Sequence, residues 1–468
     1  MPSKQHGRQY DLVVFGASGY TGKYTAQYIT THLPTDLKWA VAGRSQSKLE
    51  DLVAQCKELN PDRVQPGIEI CSLTDADLAA LAKKTFVLIT TVGPYGKLGE
   101  HAFKACAENG THYLDVTGEV PFVAKMLNKY EGTAKQTGAL MFPQIGIESA
   151  PADLVTWSLA TFIRSEFSSP IRDVTVSIHN LKYAPLTAPT FPSSLPGPPS
   201  PPPRLSATAT SNNALNRPLP PPLQIRPVRR HPRHSPDHPR QLLPDRVPRR
   251  LPTLRALPDA TAAGTTPSPS LLTRLTGLVT VPSLGLLTTS VAARTDAALV
   301  QRTWGLLPTL PAPRREQFYG ARFSFREHMR PRNWLTGAAL HLGVAVFWLV
   351  LATPWLRRLV ARRVYQPGEG PEPAVASADE IEYRGVGYAD RGEGDGQGVG
   401  KDGALCRAWF HGSTYYLTGI FLAEAAATLL QEDVGLPGGV YTPACLGQPY
   451  IDRLGRAGFH IETKRLEP

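Results

Sequence analysis

The sequence predicts an α/β protein: a doubly wound parallel sheet at the N-terminus, followed by a second, α+β part. Short β-branched runs alternate with helix-length segments over residues 10–142, and a glycine-rich turn closes the first of these runs. The later runs also exit into Gly- or Pro-containing turns.

Tyr10–Phe15 (YDLVVF) is apolar and β-branched, as suits a strand buried on both faces. It runs into Gly16-Ala17-Ser18-Gly19-Tyr20-Thr21-Gly22, a GxxGxxG spacing, and a helix is expected over about Tyr20–His32. Gly16 would allow the tight exit from the strand. Gly19 would let backbone amides approach a pyrophosphate, and Gly22 would let the helix pack closely. That helix would aim its N-terminal amides and positive dipole end at the phosphates. Lys38–Ala42 reads as the next strand, and Thr74 as the cap of a helix with Asp77 three residues on. Strand Thr85–Thr91 ends in Val92-Gly93-Pro94-Tyr95-Gly96. A helix over about Glu100–Asn109, strand His112–Val116, a helix over about Val120–Thr137 and strand Ala139–Phe142 complete the series. The order is that of a Rossmann dinucleotide-binding domain.

The turn after the second strand, Gly43-Arg44-Ser45, selects the cofactor. A site for NAD places an acid near here to accept from the ribose 2′-hydroxyl, and no acid is present. The guanidinium of Arg44 matches a 2′-phosphate, so NADP is expected over NAD. The candidate cofactor residues are Gly16, Ser18, Gly19, Tyr20, Thr21, Gly22, Arg44, Ser45, Gly93 and Pro94. Tyr95, Asp115 and Glu119, at the ends of later strands, are candidates for acid–base work. Each has a plainer alternative: a ring packed over the cofactor for Tyr95, and turn capping for Asp115. Ser149, before Ala150-Pro151, reads chiefly as a helix cap.

Of the eleven net positive charges, nine fall between Arg204 and Arg255, a stretch with eleven Arg and no Lys. The basic pI therefore belongs to one segment and does not mark a nucleic-acid binder. The five cysteines form no CxxC or Cys/His ligand spacing, as expected of small core residues in a reducing compartment, and no metal site is expected. Residues Met1–Arg8 are polar and do not read as a signal peptide. YxxxK, HExxH, GxSxG and GxxxxGK[ST] are all absent, which disfavours short-chain dehydrogenase, zinc protease, serine hydrolase and P-loop chemistry.

VVFGASGYTG, VAGRS, TTVGPYGKLG, YLDVTGE and GIESAPADL, in this order, resemble the saccharopine dehydrogenase-like oxidoreductases, a family that includes trans-acting enoyl reductases of lipid biosynthesis. The resemblance runs from Tyr10 to about Tyr183, resumes near Leu271, and includes GGVYTPACLG, Gly438 to Gly447. It departs at Glu148, where the family usually has Asp. It implies an NADP-dependent oxidoreductase acting on a lipidic substrate, with enoyl reduction as the nearest enzymatic analogy.

The expected organisation is a cofactor domain over 1–155 and a substrate domain over 156–330 that is interrupted by a Pro/Arg-rich segment over 190–266. A hydrophobic helix over 331–365 and the rest of the second domain over 366–468 follow. The interrupting segment cannot build a packed core. It reads either as a disordered basic insertion or as the product of a misread frame, and its loss of all Lys favours the second.

Trp334–Trp355 is uncharged and about as long as a membrane-spanning helix. Arg330, Arg332, Arg357, Arg358, Arg362 and Arg363 flank it. It reads as a spanning helix, an in-plane anchor, a buried helix, or the interface of a homodimer. Association with the cytosolic face of a membrane is expected, whether lipid droplet, endoplasmic reticulum or mitochondrion. The alternative function is a lipid-droplet or membrane protein that keeps the nucleotide-binding fold without turnover.

Overall fold

A computed structural model describes residues 4–182, 270–353, 356, 379–391 and 402–467. The Pro/Arg-rich segment and the last part of the hydrophobic run, including Trp355, lie outside them.

The first sheet is wholly parallel. Its strands are β1 (Tyr10–Phe15), β2 (Trp39–Gly43), β3 (Gly67–Ile70), β4 (Thr85–Thr90), β5 (His112–Asp115) and β6 (Leu140–Phe142), in the order β6-β5-β4-β1-β2-β3. This is the dinucleotide-binding order. Helices α1 (Tyr20–His32), α2 (Gln46–Leu59), α3 (Asp75–Lys84), α4 (Tyr95–Leu98), α5 (Glu100–Asn109) and α6 (Val120–Thr137) link the strands. Leu12, Val14, Val87 and Ile89 face one core, while Val13, Phe15 and Leu88 face another. Such two-sided burial explains why these strands read as continuous apolar runs. β3 gives a weaker signal because it is an edge strand of four residues whose isoleucines are exposed. As expected, Thr74 caps α3, accepting from the Asp77 amide at 3.1 Å.

The second sheet is mixed. It comprises β7 (Ile171–Lys182), β8 (Val279–Val281), β9 (Gly285–Thr289), β10 (Ser324–Met329), β11 (Glu380–Ala389), β12 (Gly403–His411) and β14 (His460–Arg465), in the order β14-β12-β11-β7-β10-β9-β8. Only β7 and β10 pair in parallel among these strands. Helix α7 (Ala150–Phe167) carries the chain from the first sheet to the second and is buried along most of its length. The C-terminal part returns to the first sheet, adding β13 (Gly439–Val440) beside β6.

Between the strands of the second sheet lie α8 (Leu271–Thr276), α9 (Ala293–Leu306), α10 (Trp334–Ala352), α11 (Thr414–Gln431) and α12 (Gln448–Arg456). Helix α11 packs on α1, where the Tyr28 hydroxyl donates to Glu424 at 2.7 Å. A buried carboxylate fastens the C-terminal GGVYTPACLG stretch to α7 and α9. Asp153 accepts from the Thr303 hydroxyl at 2.6 Å and from the Ala444 amide at 2.9 Å.

Among the described residues no helix is long and apolar enough to cross a membrane, and the end of the Trp334–Trp355 segment lies outside them. The burial of α10 is one-sided. His341 meets the Thr289 hydroxyl at 2.8 Å, and the Thr288 hydroxyl donates to the Gly337 carbonyl at 2.8 Å. Away from that contact Trp334, Leu342 and Leu349 are 61%, 65% and 63% exposed.

Candidate cofactor site and the cleft beside it

The site begins where β1 ends. Gly16 turns with φ +86°, and a Cβ there would come within 2.7 Å of Val92 Cγ2 and 2.9 Å of Thr91 Oγ1. The first glycine is thus wedged against the exit of β4, at the point where strand order reverses and a ligand crevice forms. A Cβ on Gly22 would lie 2.4 Å from the Gly16 carbonyl and 2.7 Å from Ala17 Cα. The glycines therefore bring the start of α1 onto the turn itself. Gly19 is the N-cap of α1 and makes no side-chain cap, which leaves that helix end open. This is the cradle a pyrophosphate needs. Ser18, Tyr20 and Thr21 line it, each partly accessible.

Arg44 follows β2 directly and is exposed, and among the described residues no hydrogen bond or ion pair engages its guanidinium. Ser45 is half-buried beside it as the N-cap of α2. Gly93 and Pro94, joined by a cis peptide bond, form the partly accessible exit of β4. All ten candidate cofactor residues thus stand at the carboxyl ends of β1, β2 and β4.

The three acid–base candidates also converge, but their reactive atoms are committed to holding loops. Tyr95 is buried. Its hydroxyl donates to the Thr90 carbonyl at 3.0 Å and accepts from the Val116 amide at 3.4 Å. Burial pushes its pKa well above that of a free tyrosine. Glu119 accepts from the amides of Tyr95 and Gly96 at 2.8 and 3.0 Å, and burial raises its carboxyl. Asp115, fully buried, accepts from the Tyr113 hydroxyl at 2.7 Å and from the amides of Thr117 and Gln144 at 2.9 Å each. Burial pushes Asp115 up to about 6 against the pull of those donors. Together the three carry the polar bonding that shapes the exits of β4, β5 and β6.

The next exit differs. In the loop from β6 to α7, Gln144 takes φ +67°, and its side-chain nitrogen has no partner among the described residues although the residue is 4% exposed. Ser149 stands at the N-cap of α7, as expected, but its hydroxyl makes no capping bond and has no partner among the described residues, at 2% exposure. Between them Glu148 is exposed to solvent, yet desolvation alone raises its carboxyl to about 7. The cause of its raised acidity constant is burial in its surroundings and not a charged partner.

Glu148 adds its charge to the field on Tyr95 from one side and on Asp296 of α9 from the other. Asp296 and Glu327 of β10 are both buried and act on each other's charge, and Ser290 donates to Glu327 at 2.6 Å. Burial first, and then Glu327, drives Asp296 well above the usual carboxylate range. Sequence reading missed this cluster. A signal did exist in β10, where Glu327 interrupts an alternating apolar face between Phe325 and Met329.

Residues 12–141 match the family model of the saccharopine dehydrogenase NADP binding domain. This part of the chain is a saccharopine dehydrogenase NADP-binding domain. Across 98% of both chains it is 28% identical to a protein of Mycobacterium tuberculosis whose name provisionally makes it a trans-acting enoyl reductase. It is 41% identical to a saccharopine dehydrogenase-like oxidoreductase of Bos taurus over 31% of this chain and 36% of that one. It is 34% identical to a lipid droplet localized protein of Caenorhabditis elegans over 36% of this chain and 39% of that one. The saccharopine dehydrogenase-like character and the NADP cofactor expected from the sequence are therefore found. The glycine cradle fits that cofactor, since a side chain at Gly22 would push the start of α1 off the Gly16–Ala17 turn whose amides would face the phosphates.

Proposed function

We propose that the chain is an NADPH-dependent oxidoreductase that reduces the double bond of a lipidic enoyl substrate at the surface of a lipid phase. The observation that carries the redox half is the open cradle formed by Gly16, Gly19 and Gly22, with the unengaged Arg44 at the next strand exit. In this reading Gly16–Gly22 hold the pyrophosphate, Arg44 and Ser45 the 2′-phosphate, and Gly93 and Pro94 border the nicotinamide. Bound NADPH supplies the hydride. Tyr95, Asp115 and Glu119 position the walls around it.

The lipid half rests on α8 and α10. Leu271, Leu272, Leu275, Trp334, Leu335, Leu342 and Leu349 leave these two adjoining helices with large exposed apolar side chains, beside Arg274, Arg330 and Arg332. Apolar surface rimmed by arginine suits peripheral docking on a lipid surface with anionic headgroups. The names of the mycobacterial and nematode relatives point the same way.

Titration with NADPH and NADH, followed by NADPH oxidation with a panel of enoyl lipids, tests this proposal. Equal affinity for the two nucleotides would overturn the cofactor assignment. A second reading, NADP binding without turnover on a lipid droplet or membrane, draws on the commitment of Tyr95, Asp115 and Glu119 to internal bonds. NADPH binding with no oxidation across the panel would favour it.

A further inference from the structure

We infer that the loop from β6 to α7 is the carbonyl-binding and proton-delivering end of the site. In this assignment Gln144 and Ser149 donate to the carbonyl oxygen of an α,β-unsaturated acyl substrate, and Glu148 supplies the proton that completes its reduction. The inference rests on the proposed enoyl reduction and names the residues that would serve it.

Three independent features of one six-residue stretch support it. First, the stretch leaves the carboxyl edge of the parallel sheet, the edge that also carries the glycine cradle and the Gly93-Pro94 turn. Second, it holds two donors, Gln144 Nε2 and Ser149 Oγ, that are nine-tenths buried and unpartnered among the described residues. Buried donors without partners are costly, and in this assignment a ligand oxygen supplies the missing acceptor. Ser149 is the N-cap of the 18-residue helix α7, whose dipole favours negative charge there, and Gln144 lies five residues before it. Gln144 is also held in a left-handed backbone conformation by the bond from its amide to Asp115, so its placement is enforced by the neighbouring strand. Third, Glu148 lies between the two donors in sequence and is exposed to solvent.

The chemistry balances. The hydride from NADPH bonds to the β-carbon, and the π pair of the C=C bond moves to give an enolate whose oxygen carries the charge. Gln144 and Ser149 bind that oxygen more strongly than they bind the neutral carbonyl. The α-carbon then takes the proton from the Glu148 carboxyl, leaving a carboxylate that solvent reprotonates. NADPH becomes NADP+ and the substrate gains two hydrogens.

Glu148 must be protonated to act, and its surroundings favour that form. The groups that share its field are Tyr95 at the exit of β4, with Asp115 and Glu119 around it, and Asp296 on α9, with Glu327 and Asp153 behind it. Lys97 acts on Glu119, and burial is what raises Glu148 itself. Burial raises both Asp296 and Glu327, which favours their neutral forms and limits the negative charge near Glu148.

The test uses the full chain, NADPH and a decenoyl thioester unsaturated at the α,β position. In the wild type kcat should fall as pH rises through about 7. Glu148→Gln should lower kcat by about 10²-fold or more, with KM and NADPH affinity nearly unchanged, and should abolish that pH limb. Glu148→Asp should restore much of the rate. Ser149→Ala and Gln144→Gly, the latter compatible with the φ of +67°, should each lower kcat/KM by about 10²-fold. Wild-type kcat and pH profile in Glu148→Gln would overturn the assignment while leaving enoyl reduction standing.

If the wild type does not reduce the thioester, calorimetric binding to the NADP+ complex decides. Weaker binding in Ser149→Ala and Gln144→Gly would keep the carbonyl pocket and discard the reduction. Binding unaffected by both would overturn the pocket, and no binding at all would overturn both readings.

Discussion

The two sheets of this protein create their binding surfaces in opposite ways. At the exit of β1 the site is made of absent side chains: Gly16 and Gly22 are required because any Cβ would strike Val92 or the Gly16 carbonyl. At the second sheet the distinctive features are side chains that a soluble domain normally avoids. Asp296 and Glu327 are paired in the interior, and the leucines and tryptophans of α8 and α10 face outward. The first surface is fixed by backbone packed too closely for a side chain, the second by side chains placed where burial or exposure is costly. The two should therefore fail differently under substitution.

The largest effect should come from closing the cradle. Gly22→Val places its first carbon 2.4 Å from the Gly16 carbonyl, in backbone that cannot yield without moving β1 or α1. NADPH binding should become undetectable by fluorescence titration, and the melting temperature should drop. Retained affinity would mean that the phosphates lie elsewhere. Next in size is Arg44→Ala, expected to weaken NADPH by about 10- to 100-fold, the loss of one charge-assisted, bidentate phosphate contact of about 1.5–3 kcal/mol. NADH affinity should stay the same, so the ratio of the two affinities is the quantity to measure. A parallel loss for both nucleotides would place Arg44 on the pyrophosphate.

The contrast also explains how much the sequence could tell. β1, α1, α5 and α6 lie where the hydrophobic pattern puts them, because two-sided burial and helix periodicity are local properties. The Gly16–Gly22 turn was legible for the same reason. Tyr95, Asp115 and Glu119 were correctly singled out as neighbours at strand ends. Their occupation by the amides of Val116, Gly96 and Gln144 was not visible, since those bonds span up to 29 residues. Glu148 could be noticed only as an acid in a turn, and the groups on which its charge acts, Tyr95 and Asp296, are remote in sequence. The return of Gly439–Val440 to the first sheet is a two-residue pairing that no periodicity can announce.

A smaller effect separates the exposed face of α10 from the fold. Leu342→Ser with Leu349→Ser removes apolar surface that is already in water, so folding stability should change by no more than about 0.5 kcal/mol. Co-flotation with phosphatidylcholine vesicles containing phosphatidylserine should nonetheless fall several-fold. Unchanged flotation would assign that face to another partner, such as a second copy of the chain.

The smallest effect concerns Glu148, and it runs in the direction opposite to most substitutions. Its carboxyl is raised to about 7 in the folded protein, above the 4.5 of the free group. A raised carboxyl binds its proton more tightly when folded. Its contribution to stability is therefore fully present below about 4.5 and is lost as pH rises through about 7. Glu148→Gln removes the charge that the folded cleft disfavours. The variant should melt a few degrees above the wild type at pH 8, and the two curves should converge near pH 4, where both side chains are neutral. A stabilising substitution that also lowers turnover would show that the cleft keeps an acid at a cost to the fold, as expected of a group retained for chemistry. Equal melting temperatures at pH 8 would mean that water in the cleft solvates Glu148 fully, and the raised acidity constant on which its proton delivery depends would be lost.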